Sequence, residues 1–195
     1  PTMNVTPSNS PCANVNIDFS FIVSDGFVNN SIMNVVKKTI SGGYFVAGDF
    51  TNYNTYNNSK GLIKLTNNGV PVTSFDTNSG FTATTATYFS PNDLIEFTNG
   101  KVVCGGYFEF YSGVSVNHIC RLNSDGSLDT TYNIGTGFDY YVYTLGKQSD
   151  NKIIVGGLFT QYDGTSVGRI CRLNTDGTID NTFNSGGTGF NNFVY

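Results

Sequence analysis

From Val142 onward, apolar residues come in short runs punctuated by small and polar ones. Val142 to Lys147 is the first run, closed by Ser149-Asp150-Asn151. Lys152 to Phe159 follows, and its continuous Ile153-Ile154-Val155 suits a strand covered on both faces. Val167 to Leu173 is the third run. Asp176-Gly177, a strong hairpin signal, leads from it into a fourth, Thr178 to Phe183. No stretch sustains an i, i+3, i+4, i+7 apolar pattern. The pattern therefore predicts four short antiparallel strands and minimal helix.

That unit returns about every 51 to 57 residues. Leu122 to Asp129 reappears as Leu173 to Asp180, with a worn copy at Leu65-Thr66-Asn67-Asn68-Gly69-Val70. An aromatic recurs at Phe19, Phe75, Tyr132 and Phe183, followed by a Gly-Phe pair ending at Phe27, Phe81, Phe138 and Phe190. Next comes an apolar strand that runs into small residues: Val46-Ala47-Gly48-Asp49-Phe50, Cys104-Gly105-Gly106-Tyr107-Phe108 and Val155-Gly156-Gly157-Leu158-Phe159. A tyrosine stands three positions later each time, at Tyr53, Tyr111 and Tyr162. A basic residue and Leu65, Leu122 or Leu173 then precede the Asn/Asp-Gly turn.

A four-stranded antiparallel unit of this length is the size of a β-propeller blade. One such sheet cannot bury both faces alone. Stacking against neighbours, at about 25 cal/mol per Å² of apolar surface, is what stabilises it. An open β-solenoid is the competing architecture, but its repeats are shorter, roughly 20 residues. The expected fold is thus all-β: a β-propeller of four-stranded antiparallel blades, with three full units at roughly 22–75, 76–132 and 133–183. Partial blade edges stand at 15–21 and 184–195, where Phe193-Val194-Tyr195 begins another first strand. About six extra residues fall between Phe81 and Gly105 and predict a longer loop around Ser90-Pro91-Asn92. Residues 1–14 read as the end of a Pro/Thr/Ser-rich spacer. The frayed ends imply a ring completed by a longer chain or an oligomer.

The string from Leu145 to Thr160, with the Arg172-Leu173-Asn174-Thr175-Asp176-Gly177-Thr178-Ile179-Asp180 that follows, resembles the core of the delta-sixty repeat. The resemblance extends over residues 15 to 195 and weakens in the first unit, where Asp49 replaces an apolar residue and Asn68 the turn Asp. This β-propeller repeat family occurs in bacterial surface proteins and some phage proteins. The resemblance implies a fold and a surface setting, and no reaction.

Composition narrows the picture further. Twenty-five Asn and 23 Gly fill the turns, 16 Phe and 12 Tyr supply the apolar mass, and only 12% of residues are charged. A net charge of −4 with scattered Lys and Arg argues against nucleic acid. No apolar run approaches the roughly 20 residues of a bilayer span. Cys120 and Cys171 share one repeat position, Cys104 stands where Val155 does, and Cys12 lies outside the repeats. The four cysteines are therefore expected as free thiols.

Candidate chemistry is sparse. His118, the only histidine, takes the place of Arg169 and is expected as an exposed strand residue without a nucleophile motif beside it. Asn123 to Asp129 and its copy from Asn174 loosely resemble a calcium loop, although a plain hairpin turn explains the same residues. The 14 acidic residues form no isolated pair of the kind glycoside hydrolysis needs. Tyr53, Tyr111 and Tyr162 recur and are expected to be structural. Tyr56, Tyr140 and Tyr141 do not recur, and are the candidates for ligand binding. The reading is a non-catalytic module with no cofactor and no metal. It serves recognition, adhesion or assembly through a protein or surface-glycan partner, and sits extracellularly on a bacterial cell surface or a virion appendage. A structural fibre block and a glycan-directed hydrolase are the alternatives.

Overall fold

The structure is a computed structural model and describes Phe27 and residues 32–84, 89–184 and 187–195. The expected spacer at 1–14 and the partial unit at 15–21 lie outside the described residues. Among the described residues the protein is all-β and antiparallel, and no helix is long and apolar enough to cross a membrane.

The first sheet holds β1 (Ile32–Lys38), β2 (Tyr44–Asp49) and β3 (Leu62–Leu65) in that order. A short β4 (Phe81–Thr82) precedes the second sheet, which is made of β5 (Ser90–Glu96), β6 (Val102–Tyr107) and β9 (Ile119–Leu122). Between β6 and β9 the hairpin of β7 (Phe110–Tyr111) and β8 (Val114–Ser115) pairs with β4. The third sheet repeats the plan with β10 (Val142–Lys147), β11 (Ile153–Gly157) and β14 (Ile170–Leu173), and its hairpin is β12 (Gln161–Tyr162) with β13 (Thr165–Ser166).

Two expectations need correction. Each large sheet has three strands, because the fourth segment touches it through a single β-bridge: Pro71 to Leu65, Leu128 to Leu122, and Ile179 to Leu173. In the second and third sheets the side chains of the next residues explain the early stop. Asp180 Oδ1 accepts bonds from Thr182 N at 2.9 Å and Thr182 Oγ1 at 2.6 Å, and Asp129 does the same with Thr131, so the chain turns instead of extending. Secondly, Ser90, Pro91 and Asn92 belong to β5 rather than to a loop, and the extra length lies upstream of Ser90. Pro91 is tolerated there because the register shifts between Pro91 and Asp93.

The same shift falls between Met33 and Val35 and between Val142 and Thr144. It forces the middle strand to carry a glycine. A Cβ on Gly48, Gly106 or Gly157 would stand 2.1, 2.2 or 2.3 Å from the carbonyl oxygen of Ile32, Ser90 or Tyr141. The preceding position governs the next sheet: a Cβ on Gly105 would meet Val142 Cγ1 at 2.5 Å, and one on Gly156 would meet Val194 Cγ1 at 2.7 Å. Val194 thus sits on the third sheet as Val142 sits on the second.

Two cores result. Phe45, Ala47, Leu62 and Phe81 pack with Leu94, Val102, Cys104, Phe108 and Leu122 between the first and second sheets. Ile95, Val103, Ile119 and Phe138 pack with Leu145, Ile153, Val155, Phe159 and Leu173 between the second and third. Each unit also holds an aromatic triad, with centroids 4.6 and 4.8 Å apart for Phe81 with Phe108 and Tyr111, and 4.2 and 4.5 Å for Phe138 with Phe159 and Tyr162. The Tyr162 hydroxyl donates to Gly177 O at 2.6 Å and that of Tyr53 to Gly69 O at 3.0 Å, and Tyr111 donates likewise to Gly126 O. The recurring tyrosines therefore anchor the recurring turns.

Gly105→Val should lower stability by about 1–3 kcal/mol, because Val142 has no room to retreat. Gly146→Ala, whose new Cβ would find nothing closer than Ile154 Cβ at 3.8 Å, should be neutral or slightly stabilising. Urea denaturation midpoints of the two variants measure the difference.

Candidate functional site

Most polar side chains that recur are committed to the scaffold. Asp129 accepts from Lys101 Nζ at 2.7 Å and Arg121 Nε at 2.6 Å, and Asp180 accepts from Lys152 Nζ at 2.6 Å and Arg172 Nε at 2.8 Å. Burial pushes the Asp129 carboxyl up, but bonds from Lys101, Thr131 and Arg121 outweigh it and hold it well below the usual carboxylate range. The turn aspartates are engaged too: Asp125 Oδ1 accepts from Ser127 N at 2.9 Å and Asp176 Oδ1 from Thr178 N at 3.0 Å. These are the bonds of a plain Asx turn.

The copies disagree at the entry to the third sheet, where aromatic side chains gather. The rings of Tyr140 and Tyr141 lie 4.1 Å apart, and Tyr107, at the end of β6, lies 4.1 Å from Tyr141 on a 50° tilt. His118 meets Tyr141 edge-on at 5.4 Å. Tyr140 is 43% exposed, and Tyr107 and Tyr141 are half-buried. Burial, followed by hydrogen bonds with the Tyr107 and Tyr140 hydroxyls, pushes the Tyr141 hydroxyl well above its usual range. The Tyr141 phenol is therefore uncharged at neutral pH.

The loop beneath it is fixed by acids. Asp139 Oδ1 accepts from Thr160 N at 2.8 Å and Gln161 N at 2.9 Å, and Asp139 Oδ2 accepts from Thr160 Oγ1 at 2.5 Å. Leu158 N donates to Tyr141 O at 2.8 Å. Glu109 is held by Thr84 through N at 2.8 Å and Oγ1 at 2.5 Å, bonds that lower its carboxyl. Both carboxylates are engaged by neighbouring loop residues.

Three tyrosines were singled out from the sequence, and the structure brings two of them together. Tyr56 stands apart: it forms a β-bridge with Tyr53, packs beside Ile63 and Leu65, and donates its hydroxyl to Phe75 O at 3.3 Å. Tyr107 was missed. Its signal was available, since Asp49 and Leu158 occupy the same position in the other units. His118 is buried at 7% exposure, which corrects the expectation of an exposed strand residue. It precedes β9 at φ 71° with Nδ1 unpartnered, and burial lowers its basicity. Arg169, at the same position of the next unit, lies over Phe193 as His118 lies against Tyr141, so the contact belongs to the joint between units.

The family described as "Domain of unknown function (DUF5122) beta-propeller" matches residues 98–132 and 148–183. Each stretch opens at the turn before a middle strand and closes on Tyr132 or Phe183, the same phase of successive units. The match supports a β-propeller family. No curated protein and no solved structure matches the chain.

The depressed carboxyl of Asp129 contributes stability that is complete above the unfolded value, about 3.9, and is lost as pH falls through the folded value. Asp129→Asn should therefore melt below the native protein at pH 7. The gap in Tm should close as pH is lowered beneath about 4, read by thermal melts across the pH series.

Proposed function

We propose that this chain is a non-catalytic recognition module. It is a β-propeller segment akin to the delta-sixty repeat, displayed outside the cell on a bacterial surface protein or a virion appendage. The observation that carries the reading is the cluster of Tyr107, Tyr140 and Tyr141, which sits where the repeats diverge and leaves Tyr140 open to solvent. Flat phenol faces suit the apolar face of a sugar ring, and their hydroxyls suit its rim. A surface glycan is accordingly the partner. The nearby Asp139 and Glu109 are bound to their own loops, which favours binding over hydrolysis.

The first sheet supports a larger assembly. Val36 is 63% exposed, whereas Leu94 and Leu145, its register equivalents, are 1% and 7% exposed beneath the preceding sheet. With Phe27, Met33, Tyr44, Val46 and Leu65 it lines a hollow of about 310 Å³. A further blade of the same repeat, from a longer chain or an oligomer, is the cover this face suits. The same face favours the second reading, a structural block in a fibre.

A glycan array should show binding that falls at least tenfold in Tyr140→Ala/Tyr141→Ala, with far-ultraviolet circular dichroism unchanged, while Tyr56→Phe binds as the native protein does. Absence of glycan binding by the native chain would leave the structural-block reading standing in its place, and full binding by the double variant would overturn the assignment of the site to this cluster.

A further inference from the structure

The second sheet differs from its neighbours at one directly opposed pair. Cys104 in β6 stands across from Cys120 in β9. The same register position holds Val46 and Ile63 in the first sheet, and Val155 and Cys171 in the third. The two thiols are 0% and 1% exposed and belong to the core between the first and second sheets. Gly106 N donates to His118 O at 3.0 Å, two residues along the same antiparallel ladder. Hydrogen-bonded pairs recur every second residue, so the cysteines occupy one. Such a pair sets Cα atoms about 5.5 Å apart, inside the range of about 4.4–6.8 Å that a disulfide spans, and its Cβ atoms, about 5.5 Å apart, must draw in to about 4.5 Å as the bond closes. Opposed side chains leave the sheet on the same face.

We propose that Cys104 and Cys120 are a modification site, closing a cross-strand cystine between β6 and β9 when the chain folds in the presence of a disulfide oxidant such as oxidised glutathione. One thiolate attacks the oxidant's S–S bond, forming a mixed disulfide and releasing one glutathione thiolate. The second thiolate displaces the other glutathione and completes the protein disulfide. Two S–H bonds are lost and one S–S bond is formed. The two electrons reduce the oxidant, and the two protons protonate the released thiolates.

Burial sets the timing. Desolvation raises the Cys120 thiol far above its ordinary range, so thiolate is scarce once β9 has docked. The bond must form while the strands still open, and afterwards it is shielded from exchange. Cys104, Cys120 and Cys171 are all free thiols in the structure, and Cys171 faces Val155 with no second thiol across from it. The loop enclosed between the two cysteines carries Tyr107 and His118, so the cystine ties the two ends of the segment that supplies half of the aromatic cluster.

The test refolds the full chain from its reduced, denatured state in a mixture of reduced and oxidised glutathione, alkylates free thiols, and digests with trypsin plus a glutamate-specific protease. Cleavage after Lys101, Glu109 and Arg121 separates the two cysteines, so peptides 102–109 and 110–121 should appear joined, with Cys12 and Cys171 alkylated. Reduction should lower Tm by several degrees in the native chain. It should leave Tm unmoved in Cys104→Val/Cys120→Ile, which installs the pair found in the first sheet. Alkylation of both Cys104 and Cys120 after refolding, or either one joined to another cysteine, would overturn the proposal whatever the double variant does.

Discussion

How closely one sheet can approach the next depends on two adjacent backbone positions that carry little or no side chain. Gly48, Gly106 and Gly157 accept the carbonyl thrown inward by the bulge in each first strand. Ala47, Gly105 and Gly156 leave the surface on which the following unit settles, Val142 on Gly105 and Val194 on Gly156. A larger side chain at either place would push the first strand away and open the core behind it. The polar clasps depend on the same approach. Asn34 Nδ2 reaches Ser90 Oγ at 2.7 Å, Asn92 Nδ2 reaches Val142 O at 2.9 Å, and Asp93 Oδ2 accepts from Leu145 N at 2.8 Å. None of these bonds forms if the sheets stand an ångström or two apart.

With the sheets nested, the outer turns need their own anchors, and those anchors take up six of the chain's 24 charged residues. Asp129 and Asp180 each gather a Lys, an Arg and a Thr, and Arg121 also lies 4.4 Å over the Tyr132 ring. In the first unit Val72 replaces the acid, and Lys64 turns instead to Glu96 of the next sheet at 3.4 Å. The worn copy thus trades an internal ion pair for one between sheets. Because both partners are largely buried, removing one leaves the other uncompensated, so the device specifies geometry more than it adds stability.

Sequence periodicity was enough to read the strand at Val142 to Lys147, the middle strands, the Asp-Gly turns and the anchoring tyrosines, because each answers to a local rule. It overran where side chains compete with the backbone: nothing in the apolar pattern of Thr178 to Phe183 says that Asp180 captures Thr182 and ends the pairing at Ile179. The β7–β8 and β12–β13 hairpins were too short to register as alternation. At the aromatic cluster, adjacency made Tyr140 and Tyr141 easy to propose. Tyr107 lies more than thirty residues upstream and reaches them only through the sheet-to-sheet joint, which periodicity alone does not draw.

That joint also explains why divergence concentrates where it does. Positions buried between sheets answer to two surfaces at once, so a changed residue there must be matched by its neighbour. His118 with Tyr141 is such a matched change, standing where the next unit places Arg169 with Phe193. Tyr140 escapes the constraint because its loop is held from below by Asp139, which leaves the ring free to vary without disturbing either core. A position so supported can change its side chain at little cost to the fold, and in a repeat protein that is where a particular ligand can be written.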